Sequence, residues 1–327
     1  MKYAYSFVIP FLNEEATLVE LVDRIDAAIR PLLPGGETYE ILLIDDGSTD
    51  GSAAVAEELA RRRQEVIFLQ LRGNFGKSAA LAAGFARTRG DIVFTLDADL
   101  QDDPKEIPRF LAELEKGYDV VSGYKQKRHD PWHKVFPSRI FNGMVRKLTG
   151  VRLRDVNCGF KAYRSAVVKS VQLYGEMHRF VPVLAHWRRY RVGEIVVEHH
   201  PRRFGVSKFG AGRFYRGFMD LLTVFFLLKF DRKPMHFFGL PGAASTGAGL
   251  LICAWLSLVW MMGGSIGHRP LLALGVLLIV VGVQILATGL IAELVVHLGG
   301  RLQDPYEIGR VVGALDEDDE KRLKGAA

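Results

Sequence analysis

The chain has 327 residues, enough for one large domain or two smaller ones with a substantial core. Its formal charge is +6, and the placement of that charge argues against a nucleic-acid partner: basic residues gather in 125–164 and 179–233, just before two long uncharged stretches. Its two cysteines, Cys158 and Cys253, make no disulfide framework, and both are expected as reduced thiols.

Tyr5–Phe11 is an apolar run ending at a turn and predicts a buried strand. Ala16–Ile29 follows as a helix, with Leu18, Leu21, Val22, Ile25 and Ile29 on one face. Tyr39–Ile44 is a second buried strand, broken by Asp45-Asp46-Gly47-Ser48. Gly51–Arg63 reads as a helix, Val66–Leu71 as a strand, Lys77–Arg87 as an alanine-rich helix and Asp91–Leu96 as a fourth strand. This alternation predicts an α/β fold with a Rossmann-like, mostly parallel sheet and helices on both faces. Ligands of such sheets bind at the carboxyl ends of the strands. Pro10-Phe11, Asp45-Asp46, Arg72–Gly76 and Asp97–Gln101 all fall at those ends, which points to a single site.

Two further segments are amphipathic, with basic residues beside apolar faces: Trp132–Leu148 and Arg213–Phe230. Such segments suit helices lying in the headgroup region. Between Lys233 and Arg269 there is no Asp, Glu, Lys or Arg, and from Pro270 to Ala292 there is none again. Each run exceeds the roughly 20 apolar residues that cross a hydrocarbon core. The expected organisation is a cytosolic catalytic domain over 1–210, with 132–148 as an interfacial helix, and a juxtamembrane helix over 211–232. A transmembrane hairpin covers 233–298, with spans at about 237–262 and 271–294, and 299–327 is a cytosolic tail. Lys229, Arg232 and Lys233 precede the first span, and Arg301 and Arg310 follow the second. The positive-inside rule then puts the catalytic domain and both termini in the cytoplasm of a multi-pass inner-membrane (cell-membrane) protein. The stretch before Pro10 is too short for a cleavable signal.

Three familiar chemistries fail on specific residues. Gly76-Lys77-Ser78 ends like a phosphate-binding loop, but Leu71 stands where the first glycine is needed. No GxGxxG follows the first strand, so a dinucleotide fold is unsupported. Asp97-Ala98-Asp99 begins like a calcium loop, but Asp102 occupies its glycine position. What remains is a pair of carboxylates on a tight turn after a buried strand, followed by Gln101. Such a set offers hard oxygen ligands to Mg²⁺ or Mn²⁺, with the rest of the shell supplied by water and phosphate. An ion there stabilises charge on a departing nucleoside diphosphate.

Val8-Ile9-Pro10-Phe11-Leu12-Asn13-Glu14-Glu15, Asp45-Asp46-Gly47-Ser48-Thr49-Asp50, Asn74-Phe75-Gly76-Lys77 and Asp97-Ala98-Asp99-Leu100-Gln101-Asp102 together resemble the family 2 (GT-A fold) glycosyltransferases. Asp155-Val156-Asn157-Cys158-Gly159-Phe160-Lys161 and Arg202-Arg203-Phe204-Gly205-Val206-Ser207-Lys208 resemble its polyprenyl-phosphate branch, which includes dolichol-phosphate mannosyltransferases and bacterial undecaprenyl-phosphate glucosyltransferases. The resemblance implies an inverting hexosyltransferase with a nucleotide-sugar donor, a polyprenyl-phosphate acceptor and a homo-oligomeric state. It implies that Pro10, Phe11, Asn13, Glu14 and Asp46 hold the base and ribose, with Gly76 and Lys77 lining the same pocket. Asp97, with Ala98, faces the nucleoside, and Asp99 and Gln101 hold the metal, which makes Asp99 catalytic. Arg202 and Lys208 clamp the donor diphosphate or the acceptor phosphate, with Ser207 beside them. The family commonly has Arg where this chain has Lys125, and lysine makes no bidentate fork to phosphate. Arg128 and Arg139 are therefore favoured over Lys125 for the acceptor phosphate. Asp155 is a candidate base or orienting group.

Plainer roles suit other residues. Asp50 caps the helix near Ser52, Asp45 braces its turn, His178 is structural and Cys158 packs. UDP-glucose is favoured over GDP-mannose from the hairpin alone. The alternatives are a processive polysaccharide synthase, which lacks support because no Gln-x-x-Arg-Trp motif occurs, and an inactive membrane scaffold.

Overall fold

The computed structural model describes residues 3–33, 35–126, 142–171, 173, 175, 177–198, 200, 219, 223, 225–226, 233–265 and 270–299. The chain divides into two compact units, Met1–Phe225 and Phe226–Ala327.

The first unit begins with β1 (Tyr3–Phe11), α1 (Leu18–Ile29), β2 (Thr38–Asp45), α2 (Ser52–Arg62), β3 (Val66–Gln70), α3 (Lys77–Phe85) and β4 (Ile92–Thr95). It continues through α4 (Ile107–Glu115), β5 (Val120–Lys125), a helical run α5 over 142–149, β6 (Lys161–Arg164), α6 (Ser165–Ser170), α7 (Val181–Trp187) and β7 (Val192–Val197). The seven strands form one sheet in the order β3-β2-β1-β4-β6-β5-β7. Every described pairing is parallel except those of β6, which runs antiparallel to both β4 and β5. Reversal of β6 brings its first residue to the carboxyl end of β4: Lys161 lies opposite Thr95, the last residue of β4, and opposite Ser122 within β5.

Strand side chains alternate between faces, and β1 is apolar on both. Phe7, Ile9, Ile41 and Leu43 pack with Leu18, Leu21, Ile25 and Phe110 from α1 and α4. Val8, Leu42 and Ile44 pack on the other face with Ala80, Leu81 and Phe85 of α3. Full burial of each large side chain contributes about 1.5–3 kcal/mol, so this two-sided core fixes the strand register that the loops inherit. Phe7 stacks on Phe94 at 5.1 Å between ring centroids, and Phe110 meets Phe160 at 4.3 Å.

The expected interfacial helix over 132–148 is helical where it is described, at 142–148; its first ten residues lie outside the described set. Of 211–232, only Met219, Thr223, Phe225 and Phe226 are described, and all four are helical.

The second unit contains α8 (Met235–Met261) and α9 (Pro270–Gly299), both long and apolar enough to cross a membrane. Their most apolar stretches are only 17% and 11% buried, unlike a core helix. Glycines at seven-residue intervals let the helix backbones approach. A methyl on Gly249 would lie 2.5 Å from the Gly275 carbonyl, and one on Gly282 would lie 2.8 Å from the Gly242 carbonyl. Ser245 Oγ donates to the Leu278 carbonyl at 2.9 Å. Glu293 accepts the Met235 amide N–H at 3.1 Å, which satisfies one of the unpaired amides at the start of α8.

Candidate active site

The loops after β1 and β2 latch onto each other. Asn13 occupies the left-handed region at φ 55°, which asparagine tolerates better than most residues. Its Oδ1 accepts the Thr49 amide at 2.8 Å, and its own amide donates to Ser48 Oγ at 2.9 Å. The Glu14 amide donates to Ser52 Oγ at 2.8 Å. Asp45 accepts the Ser48 amide at 2.8 Å, the bracing role expected of it; Asp50 accepts the Ser52 amide at 3.0 Å from one position before Gly51, which is the residue at the helix cap.

Asp46 reaches the third loop, where its carboxylate accepts the amides of Phe75 and Gly76 at 2.8 and 3.0 Å. Burial lifts the Asp46 carboxyl above its ordinary range, against the pull of those two amides. The close approach requires Gly47, at φ 80°: a methyl there would lie 2.7 Å from the Asn74 nitrogen. Asp46 therefore fixes the loop at Gly76, just before Lys77.

Gly76 opens α3, and Lys77 in its first turn forms an ion pair with Asp97 after β4. Burial alone would raise the Asp97 carboxyl, but the Lys77 ammonium holds it well below the usual carboxylate range. Gly159 lies directly against this carboxylate: an added methyl would sit 2.5 Å from its carboxyl carbon. Thr95 Oγ1 donates to the Gly159 carbonyl at 2.9 Å, and the Gly123 amide donates to the Phe160 carbonyl at 3.0 Å, so β4 and β5 both hold this backbone in place.

The turn Asp97–Gln101 contains Leu100 at φ 57°, a strained conformation for a buried leucine. Asp99 Oδ1 accepts the Gln101 amide at 3.2 Å. Gln101 Nε2 donates to the His200 carbonyl at 3.4 Å, which leaves its Oε1 without a partner among the described residues. Two hard oxygen donors thus flank the turn. No cluster of three or more His, Cys, Asp or Glu able to hold a metal occurs among the described residues. That donor set fits a divalent ion sharing ligand oxygens better than an all-protein cage. The His200 amide donates back to the Gln101 carbonyl at 3.0 Å, so the chain passes the turn two residues before Arg202.

Lys125 pairs with buried Asp102 at 2.8 Å. Burial disfavours the ammonium, but Asp102 outweighs it and Lys125 stays charged. Its first partner is therefore internal, and it fixes the end of the Asp97–Asp102 turn to β5. Asp155 is buried and accepts the Asn157 amide at 3.1 Å, while Glu194 accepts the Arg154 and Asp155 amides at 2.7 and 3.0 Å. Arg128, Arg139, Arg202, Ser207 and Lys208 lie outside the described residues.

A cavity of ≈ 20 Å³ opens beside Asp97, lined by Pro10, Lys77, Asn157, Gly159, Lys161 and His178 among others. Pro10, Lys77 and Asp97 were expected here; Lys161, His178, Asn157 and Arg179 were not. Lys161 is 3% exposed and donates to the Cys158 carbonyl. His178 exchanges hydrogen bonds with Ser78, its amide donating to Ser78 Oγ at 3.0 Å. Burial first, then the positive charge of Lys77, pushes its imidazole down to about 2, so it is neutral. Burial pushes the Cys158 thiol up to about 12, which makes it a packing residue and not a nucleophile.

The mixed α/β sheet thus brings two carboxylates and a glutamine together at its strand ends. The model of the glycosyl transferase family 2 matches residues 6–171. The chain is 38% identical over 296 residues to a dodecaprenyl-phosphate galacturonate synthase of Rhizobium johnstonii, covering 89% of this chain and 87% of the relative. It is 37% identical over 314 residues to an undecaprenyl-phosphate 4-deoxy-4-formamido-L-arabinose transferase of Pseudomonas paraeruginosa, covering 94% and 90%. Among solved structures it is similar to the UDP complex of glucosyl-3-phosphoglycerate synthase from Mycobacterium tuberculosis, with a TM-score of 0.54, 22% identity and coverage of 68% and 80%. That likeness concerns the fold. The chain belongs to glycosyl transferase family 2 and is a glycosyltransferase.

Proposed function

We propose that this chain transfers a sugar from a nucleotide-sugar to the phosphate of a polyprenyl phosphate, with inversion at C1. The observation that carries this reading is near-full-length identity of 38% and 37% to two enzymes whose names specify polyprenyl-phosphate acceptors. The two apolar helices support it, because such an acceptor resides in a membrane. They tether the chain to the inner membrane as a multi-pass protein with its catalytic unit on the cytoplasmic side. Two helices also make a poor conduit for a growing polymer, which disfavours a processive synthase.

The donor lies along Pro10, Phe11, Asn13 and Glu14, with Asp46 holding the loop at Gly76 around it. Asp97, kept ionised by Lys77, faces the nucleoside, and Asp99 Oδ and Gln101 Oε1 are the groups that hold Mg²⁺ or Mn²⁺. When bound, such an ion neutralises charge on the departing diphosphate. A phosphate oxygen of the acceptor forms the new bond to C1 as the bond from C1 to the nucleoside diphosphate breaks, and the electron pair leaves with the diphosphate. The acceptor's second pKa is about 6, so it is largely dianionic at neutral pH and needs no strong base. Asp155 then orients the 155–159 turn through the Asn157 amide. Arg128 and Arg139 hold the acceptor phosphate, while Arg202 and Lys208, with Ser207, clamp the diphosphate or the acceptor phosphate; Arg202 follows two residues after His200, whose amide donates to the Gln101 carbonyl. Lys125, committed to Asp102, contributes by holding the turn. Expectation of UDP-glucose over GDP-mannose draws no support from relatives whose names carry galacturonate and formamido-arabinose.

Asp99→Ala tests the metal assignment. In membranes, the variant is expected to lose transfer to polyprenyl phosphate by about 1,000-fold, the order expected when one transition-state charge stabiliser is removed. Near-normal transfer would overturn the assignment.

A further inference from the structure

His178 meets α3 across 100 residues of sequence, and no step of the reaction uses that contact. Its backbone amide and its ring Nδ1 both lie 3.0 Å from Ser78 Oγ, a hydroxyl that is only 2% exposed. The amide can only donate, so Ser78 Oγ accepts there. The hydroxyl proton then has one acceptor among the described residues, His178 Nδ1. That bond occupies the Nδ1 lone pair and puts the ring proton on Nε2. The imidazole is neutral, as burial and then the Lys77 charge require. His178 is therefore no general base, although it lines the cavity beside Asp97.

We propose that His178 is a positioning residue, which acts through Ser78 to hold Lys77 against Asp97 when the nucleotide binds. The proposal rests on the transferase reading, in which Asp97 faces the nucleoside. Ser78 follows Lys77 directly in the first turn of α3, and Gly76 at the cap has no side chain to steady that turn. Asp46 holds the residue before Lys77, through the Gly76 amide at 3.0 Å, and His178 holds the residue after it. The anchor itself is firm. Met177 and Phe180 are buried, and the Phe180 amide donates to the Met177 carbonyl at 2.8 Å. Lys77 needs such a seat, because its ammonium rides on a flexible four-carbon stem whose direction is set by the backbone it leaves. The same contact joins distant parts of the sheet: α3 leads into β4, whereas the turn carrying His178 leads into α7 and β7. The other use open to His178 is direct contact with the nucleotide through Nε2–H, and the two roles place their demand on different ring nitrogens.

Two substitutions separate these roles. An asparagine side chain puts its oxygen where Nδ1 stands, whereas a glutamine puts its amide where Nε2 stands. The full chain, in detergent with Mn²⁺, is titrated with UDP and with GDP by calorimetry, and whichever nucleotide binds serves as the probe. His178→Leu and Ser78→Ala are each expected to weaken it by about 10-fold, the worth of one hydrogen bond. His178→Asn, which keeps the acceptor for Ser78, is expected to stay within about 2-fold of the unsubstituted chain, and His178→Gln to bind as weakly as His178→Leu. In a Lys77→Met background, His178→Leu is expected to add no further loss, because residues that act through one another are not additive. Unchanged affinity in His178→Leu, rescue by Gln and not by Asn, or an undiminished further loss in the Lys77→Met background would overturn the proposal and leave the transferase reading intact. The Asn and Gln variants decide the matter if His178→Leu or Ser78→Ala fails to fold. Binding of neither UDP nor GDP to the unsubstituted chain would overturn that reading, and this proposal with it.

Discussion

Asp97 takes its charge state and its position from two neighbours of opposite kind, the Lys77 ammonium and the absent side chain of Gly159. Gly159→Ala is expected to push the carboxylate out of its pocket, since the backbone carrying residue 159 is held by Thr95 and cannot recede. Displacement of about 1 Å at a reacting site costs on the order of 100-fold in rate. Transfer should fall by that much with unchanged circular dichroism and unfolding temperature; unaltered activity would show that Asp97 need not stay where it is. Several of these residues were legible in the sequence. Asp45 and Asp50 lie in turns whose local chemistry is fixed within three residues of chain, and each accepts a nearby amide, although the helix cap itself falls on Gly51. Lys161 was not legible. Within GFKAYR it looks like one polar position of an alternating strand, and only pairing with Thr95 across about 65 residues of sequence puts it beside Asp97. His178 is likewise recruited by Ser78, a hundred residues earlier in the chain.

Among elements, the first four strands and the three helices between them follow from apolar runs and helical periodicity, because β1, β2 and β4 are buried on both faces and all four strands read as largely hydrophobic stretches. From β5 onward that signal fails. β6 is four residues long and antiparallel, and nothing local to Lys161–Arg164 encodes its insertion between β4 and β5. The elements also carry a fixture remote from the site. Glu40, fully buried in β2, accepts from Ser6 Oγ and from the Arg89 amide, each at 2.7 Å, and pairs with the Arg89 guanidinium, while the Gly90 amide donates to Ser6 Oγ at 2.8 Å. This network ties β1 and β2 to the turn before β4, at the strand ends opposite the carboxyl edge. Glu40→Ala orphans one hydroxyl and one amide in the interior, at a cost of about 1–3 kcal/mol each. Its unfolding midpoint in denaturant should fall accordingly, with the KM for donor unchanged in the surviving folded protein. A raised KM would mean that the network also shapes the site.

For the whole molecule, the two units divide the labour that transfer to a lipid requires. The sheet gathers the loops of the candidate site, and the hairpin supplies two helices whose exposed surfaces are leucine-rich, among them Leu251 at 74% and Leu290 at 60% exposure. Exposed apolar area on that scale is incompatible with water and suits a bilayer. This division was plain from the sequence, because a charge-free run longer than a membrane is thick needs no partner to be recognised. The glycine seam between the helices was not, because small residues mark an interface only once the facing helix is known. The measurement that tests the central claim most directly is incubation of membranes containing the chain with a panel of labelled nucleotide-sugars, followed by organic extraction. The expected result is label in the lipid phase as a polyprenyl-phosphate sugar, dependent on added Mg²⁺ or Mn²⁺ and abolished by chelation. Label confined to a polymer, or to the aqueous phase for every donor, would contradict it.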